Sequence, residues 1–198
     1  MTHALIVIDV QNDFCPGGAL EVPQGDEILR GINALMPEFD AVVLTQDWHP
    51  AAHSSFASSH KKNGPYEVIT MPYGPQVLWP DHCIQGSIGA QFHPELQTDR
   101  ADLIIRKGYN PDIDSYSAFF ENDHRTPTGL EGYLRTRGIE RLTMVGLALD
   151  FCVNFSAVDA AKLGFKVDVR EDLCRAIDLD GSLAKSREGM REAGVTLA

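Results

Sequence analysis

An α/β fold built on a parallel sheet is what this sequence predicts, and two observations carry the prediction. Five short, mainly apolar runs stand out, Leu5 to Asp9, Ala41 to Thr45, Leu103 to Arg106, Leu142 to Gly146 and Phe165 to Val169, the first four ending in a polar residue or glycine. Continuous, largely β-branched runs of this length suit strands covered on both faces. Between several of them lie segments with helical spacing, and strand-helix alternation implies parallel strands joined by right-handed crossovers. The 198 residues match the common size of one domain, with a core large enough to need no disulfide staples. The expectation is one domain over 1–198.

The elements follow in order. Residues 27–36 place Ile28, Ile32 and Leu35 on one stripe, and Pro37 stops it. Residues 129–137 follow a capping-box pattern, Thr128 with Glu131, and Gly138 supplies a stop. Residues 151–163 space Phe151, Phe155 and Val158 along one face before Gly164, and residues 182–193 form a weaker helix before Gly194. Residues 48–95 break the rhythm, with no helical period, yet they hold both Trp, six of the 11 Pro and five of the seven His. A long irregular segment inside a compact domain is functional or disordered, and two Trp argue for packing. Chemistry is therefore sought in that loop.

Seventeen Lys+Arg against 28 Asp+Glu give a net charge of −11, which disfavours nucleic acid and anionic membranes as partners. The apolar run Ala4 to Ile8 is far too short for a bilayer span and follows no basic segment. Cys15, Cys83, Cys152 and Cys174 form no closely spaced pair, so neither a disulfide framework nor a structural zinc knuckle is indicated. A cytoplasmic protein with free thiols is the expectation, with a homo-oligomer left open.

Ligands of open parallel sheets sit beyond the carboxyl ends of the strands, and reactive side chains collect there. Asp9 ends the first run, Asp47 and His49 lie just past the second, Lys107 follows the third, and Cys152 opens the helix after the fourth. A thiol in the first turn of a helix is drawn toward thiolate by the helix dipole. A carboxylate at Asp9 can carry its proton, and an ammonium at Lys107 can hold the pair and stabilise developing charge. Taken singly, these residues read as a buried core thiol, a turn cap and a surface cation; together they form a Cys-hydrolase constellation. Asp47 and His49, two apart in an extended segment, face one way, and His82 can complete a two-His, one-carboxylate set with open positions. The alternative is a loop of satisfied surface histidines, and His53, His60, Asp81 and His93 compete as ligands.

Six strings then resemble the nicotinamidase family of the isochorismatase-like cysteine hydrolases: Ile6-Val-Ile-Asp-Val-Gln-Asn-Asp-Phe14, Gln46-Asp-Trp-His-Pro50, Trp79-Pro-Asp-His-Cys83, Arg106-Lys-Gly108, Asp114-Ser-Tyr-Ser-Ala-Phe119 and Gly146-Leu-Ala-Leu-Asp-Phe-Cys152. They run in the family's order along nearly the whole chain. The resemblance implies a three-layer fold with a six-stranded parallel sheet and helices on both faces, its last strand at Val195 to Leu197. It implies hydrolysis of nicotinamide, and of analogues such as pyrazinamide, to the acid and ammonia in NAD salvage. Asp9, Lys107 and Cys152 become the triad, and Asp47, His49 and His82 hold one divalent metal: zinc first, with iron or manganese as alternatives. That metal orients the ring nitrogen more than it activates water. Backbone N–H groups of Ala148 and Cys152 form the oxyanion hole, with a cis peptide before Ala148, and Phe14, Trp79 and Tyr116 wall the ring. Relatives commonly carry Thr where this chain has Leu149, which bears on loop polarity or ring selectivity. His53, Ser54 and Ser55 are candidates for an added ligand.

Rival readings are a cysteine amidohydrolase acting on a carbamoyl or other amide, a non-catalytic metal or redox sensor, and a structural protein on the same fold. The ring wall and metal set count against the first. Asp9 and Lys107 go unexplained by the second, and the third is expected to have lost triad residues, of which none is missing.

Overall fold

The computed structural model describes residues 2–198. Its strands are β1 (Thr2–Ile8), β2 (Ala41–Asp47), β3 (Val68–Met71), β4 (Gly74–Val77), β5 (Leu103–Lys107), β6 (Ile139–Leu147), β7 (Lys166–Arg175) and β8 (Thr196–Leu197). Its α-helices are α1 (Leu29–Leu35), α2 (Leu130–Thr136), α3 (Asn154–Lys162) and α4 (Ser182–Glu192). Six strands form one parallel sheet in the order β5-β2-β1-β6-β7-β8, while β3 and β4 make a separate antiparallel hairpin. The six-stranded three-layer expectation holds. β1 and β2 are almost wholly buried, because helices cover both faces of the sheet and every residue of a central strand then points into core.

Right-handed crossovers put α1 on one face and α2, α3 and α4 on the other, because the chain leaves β1 toward β2 but passes from β5 through β6 to β8 in the opposite direction. That reversal opens a crevice between the carboxyl ends of β1 and β6. Gly146, near the end of β6, has φ +118°, and a side chain there would run into the Ile8 carbonyl. The missing Cβ lets the two strand ends close up beside the crevice.

Several sequence expectations shift. The Thr128/Glu131 capping box does not form: Gly129 caps α2 with φ 99°, Glu131 pairs with Arg135, and Thr128 accepts only the Leu130 N–H. The helix expected over 151–163 opens as a π-helical turn, Leu149–Val153, before α3. Strand β7 continues to Arg175. The irregular stretch contains the hairpin, and a second irregular stretch joins β5 to α2. Among the described residues no helix is long and apolar enough to cross a membrane, and all four thiols are free and buried.

Candidate active site

The strand ends deliver the charged residues. Asp9 follows β1 with φ 49° and is fully buried. Its backbone N–H donates to Thr45 Oγ1 at 3.1 Å, and that hydroxyl donates back to Asp9 Oδ1 at 2.5 Å. Asp47, the last residue of β2, is held through its own backbone: Gln11 accepts its N–H at 2.7 Å and donates to its carbonyl at 2.9 Å. Lys107 ends β5 at 1% exposure, and its ammonium touches Asp47 Oδ1 at 2.5 Å, Asp9 Oδ2 at 2.8 Å, the Ser115 carbonyl at 2.9 Å and Cys152 Sγ at 3.5 Å. Cys152 sits in the π-helical turn after β6, within 4.8 Å of carboxylate oxygens of Asp9 and Asp47.

Burial and charge set the protonation of this cluster. Burial would lower the Lys107 pKa, but Asp47 and Asp9 outweigh it and hold the ammonium well above its ordinary value. Burial likewise pushes Asp47 up, and Lys107 and His49 more than reverse that, holding its carboxyl well below the usual range. Burial raises Asp9, with Asp47 adding to the rise and Lys107 opposing it. The thiol departs from the sequence expectation of a favoured thiolate. Burial, with Asp9 and Asp47, holds Cys152 well above its ordinary value despite Lys107. These influences favour the neutral thiol at Cys152, beside the buried Asp9 carboxyl group.

The hydrogen bonds around Asp47, His49 and His82 test whether they fit a metal. His49 Nδ1 lies 2.9 Å from the Gly108 carbonyl, and His82 Nδ1 lies 2.8 Å from the Pro80 carbonyl. A carbonyl only accepts, so each Nδ1 carries a proton, and each ring in its neutral form has its lone pair at Nε2. Both Nε2 atoms turn toward Asp47 Oδ2, at 3.4 and 3.8 Å. Three buried donors converging on one point, with both rings fixed from behind by carbonyls, fit a divalent cation. Gly108, with φ +68°, belongs to this fit, since a Cβ there would run into the His49 ring.

His53 lies beside His49 with the rings tilted at 49°, and His49, His53 and Asp114 form a second buried group of potential ligands, although His53 Nδ1 lies 3.1 Å from the Ser55 N–H and its Nε2 2.8 Å from the Asn110 carbonyl. Ser55 Oγ faces that ring, while Ser54 Oγ is buried with no partner and its carbonyl accepts from His60. Asp81 accepts from Ser58, and His93 meets the Glu95 N–H.

Above the charged floor lies a small, mainly apolar cavity lined by Asp47, His82, Ala148 and Cys152, with Phe14, Trp79 and Tyr116 as aromatic walls. The Leu147–Ala148 peptide is cis. Sequence reasoning missed four further lining residues: Leu20, Asp114, Phe151 and Ile177. Phe151 and Asp114 lie inside the quoted strings, whereas no pattern singles out Leu20 or Ile177. Asp150 ties the Ile177 loop to the turn that carries Cys152, accepting the N–H groups of Ile177 at 3.0 Å and Asp178 at 2.7 Å and the Ser182 hydroxyl at 2.5 Å. Leu149 packs in the core and does not line the cavity.

Comparison with known proteins agrees with this geometry. The Isochorismatase domain model matches residues 3–198. A nicotinamidase of Acinetobacter baylyi is 54% identical over 192 residues, covering 97% of this chain and 90% of that protein. Among solved structures, the nicotinamidase/pyrazinamidase of Acinetobacter baumanii superposes with a TM-score of 0.98 at 55% identity, covering 99% of this chain and 95% of that one. L. infantum PnC1 in complex with nicotinate gives 0.87 at 44%, covering 100% and 92%. The pyrazinamidase of Pyrococcus horikoshii in complex with zinc gives 0.79 at 35%, covering 100% and 99%. From a family match that runs nearly end to end and identities of this size, the chain belongs to the isochorismatase-domain family of hydrolases, in the group that holds the nicotinamidases.

Proposed function

We propose that this protein hydrolyses nicotinamide to nicotinate and ammonia through a thioester on Cys152, and accepts pyrazinamide as a second substrate. One observation carries the reading: a single buried ammonium, Lys107, joins the thiol and its carboxylate partner to the carboxylate of the metal-ligand set, beneath an aromatic-walled cavity. Nicotinamide has the matching parts, a flat ring with a basic nitrogen at one end and a carboxamide at the other. The relatives named for this activity, and the bound nicotinate in one of them, support the assignment.

Phe14, Trp79 and Tyr116 hold the ring. Asp47, His49 and His82 would hold the metal, zinc first by the Pyrococcus neighbour with iron or manganese as alternatives, and a metal there supplies a Lewis-acidic anchor for the ring nitrogen. As Sγ attacks the carboxamide carbon, its proton passes to Asp9, and Lys107 stabilises the sulfur's negative charge. Backbone N–H groups of Ala148 and Cys152 receive the oxyanion. Asp9 returns the proton to the departing ammonia, then takes one from the water that cleaves the thioester. Regeneration of the Cys152 thiol completes the cycle.

Ammonia release from nicotinamide, measured beside Cys152→Ala with bound metal assayed in both, tests this. We expect turnover in the parent and a loss of at least about 10³-fold in the variant, with equal metal content. No release from metal-loaded parent protein, or equal release from both, overturns it.

A further inference from the structure

The hairpin β3–β4 lies outside the main sheet, yet it buries one side chain against the aromatic wall. Gln76 of β4 is 1% exposed and does not itself line the cavity. Its amide nitrogen lies 2.7 Å from the Val77 carbonyl, 2.8 Å from Asp114 Oδ2 and 2.9 Å from the Tyr116 hydroxyl. Its amide oxygen accepts from Asn122 Nδ2 at 3.1 Å and from the Tyr73 hydroxyl at 3.2 Å. The carboxylate and carbonyl only accept and the Asn122 amide nitrogen only donates, so the orientation of the Gln76 amide is fixed, and its two N–H groups serve three acceptors, one N–H being shared with the Tyr116 hydroxyl. The Tyr116 hydroxyl in turn accepts from Trp79 Nε1 at 3.1 Å, and the two rings stand at 82° with centroids 6.2 Å apart.

A buried network of this kind is rigid while every member is satisfied, and losing its central amide leaves several buried polar groups unpaired at once. Asp114 and Tyr116 both face the cavity, so their displacement is felt where the ring sits. We propose that Gln76 is a positioning residue for ring binding: it fixes the Tyr116 hydroxyl and, through it, the Trp79 indole. The inference rests on the nicotinamide reading and deepens it, because it makes the hairpin a support for the substrate wall.

The test uses a Trp48→Phe background, in which Trp79 is the sole tryptophan of the two in the chain. In it, Gln76→Leu should raise KM for nicotinamide about tenfold while kcat stays within about threefold, the split expected of lost ring binding. Trp79 emission should shift, and its quenching by nicotinate should weaken by a similar factor. Tyr116→Phe, which keeps the ring and removes only the hydroxyl, should do the same, and the double variant should show little further loss. It also serves as the test if Gln76→Leu does not fold. Unchanged KM and emission, a fall in kcat at constant KM, or additive losses would each overturn the proposal. If the parent protein releases no ammonia from nicotinamide, the activity reading fails, and the Trp79 emission of the variants still decides the role of Gln76.

Discussion

The two ends of the central sheet carry ionisable groups on shared strands and treat them in opposite ways. At the amino end, His3 on β1 reaches Thr143 on β6 at 2.9 Å, and Arg141 pairs with Asp168 on β7 at 2.7 Å with its side chain 48% exposed. At the carboxyl end, Lys107 lies between Asp9 and Asp47 with its side chain wholly buried. Water screens the first set, and such exposed pairs contribute about 0–1 kcal/mol. The second set has no such screen, so each charge is tolerable only while its partners are present. The amino end can be rewritten one residue at a time, whereas the carboxyl end is a unit whose members depend on one another.

The sharpest break in that comparison is Lys107→Met. It leaves two buried carboxylates facing each other, and removing one partner of a buried ion pair costs about 3–5 kcal/mol. For a chain of this size that corresponds to a fall in Tm of about 10 °C, measured by calorimetry. The sign of the pH dependence follows from Asp9, whose pKa burial already raises. Without the ammonium it rises further, so the native state holds a proton that the unfolded chain has released, and stability falls as pH increases through that window. Part of the loss should return at acid pH. A variant as stable as the parent at neutral pH would show that the buried cluster is not interdependent.

A smaller effect separates the proposed metal ligands from the thiol within the same end. His82→Ala should weaken metal binding by at least about 100-fold, more than loss of an outer-shell partner does. It should raise KM for nicotinamide more than it lowers kcat, and leave the rate of Cys152 alkylation within about twofold. Chelation of the parent should lower its Tm, since a ligand at about 100 times its Kd stabilises the fold by about 2.7 kcal/mol. Full metal content and an unchanged KM in the variant would remove His82 from the set.

The same contrast explains what the sequence reveals. Parallel strands give continuous apolar runs, and their polar terminators fall at the carboxyl edge, so Asp9, Asp47, Lys107 and Cys152 stand out from pattern alone. The hairpin does not, because its strands are four residues each and Pro75 interrupts the second. Gln76, Leu20 and Ile177 are ordinary residues in irregular or short segments, and only the folded chain shows what they face. The Thr128/Glu131 pattern misleads because Gly129 takes up a left-handed conformation and becomes the cap itself. Helix-dipole reasoning about Cys152 errs for a related reason: position along the chain carries no information about burial, and burial outweighs the other influences on the thiol.

The smallest effect belongs to the amino end, where His3→Gln tests whether that end is as independent as its exposure implies. Partial burial, helped by the Arg141 guanidinium, lowers the His3 pKa below 6.5, against the opposing pull of Asp168 and Asp40. Between the lowered value and 6.5 the unfolded chain binds more protons than the native one. Stability therefore rises with pH through that window, is complete above it, and is lost as pH falls. Glutamine can still bond Thr143 but does not titrate, so the variant should lose this slope while changing stability by no more than about 0.5 kcal/mol. Thermal unfolding of parent and variant between pH 5 and 8 measures the difference, and ammonia release should be the same in both. A change in turnover would mean that the strands transmit changes from one end of the sheet to the other. The separation of a replaceable amino end from an interdependent carboxyl end would then fail at β1, the strand that reaches both His3 and Asp9.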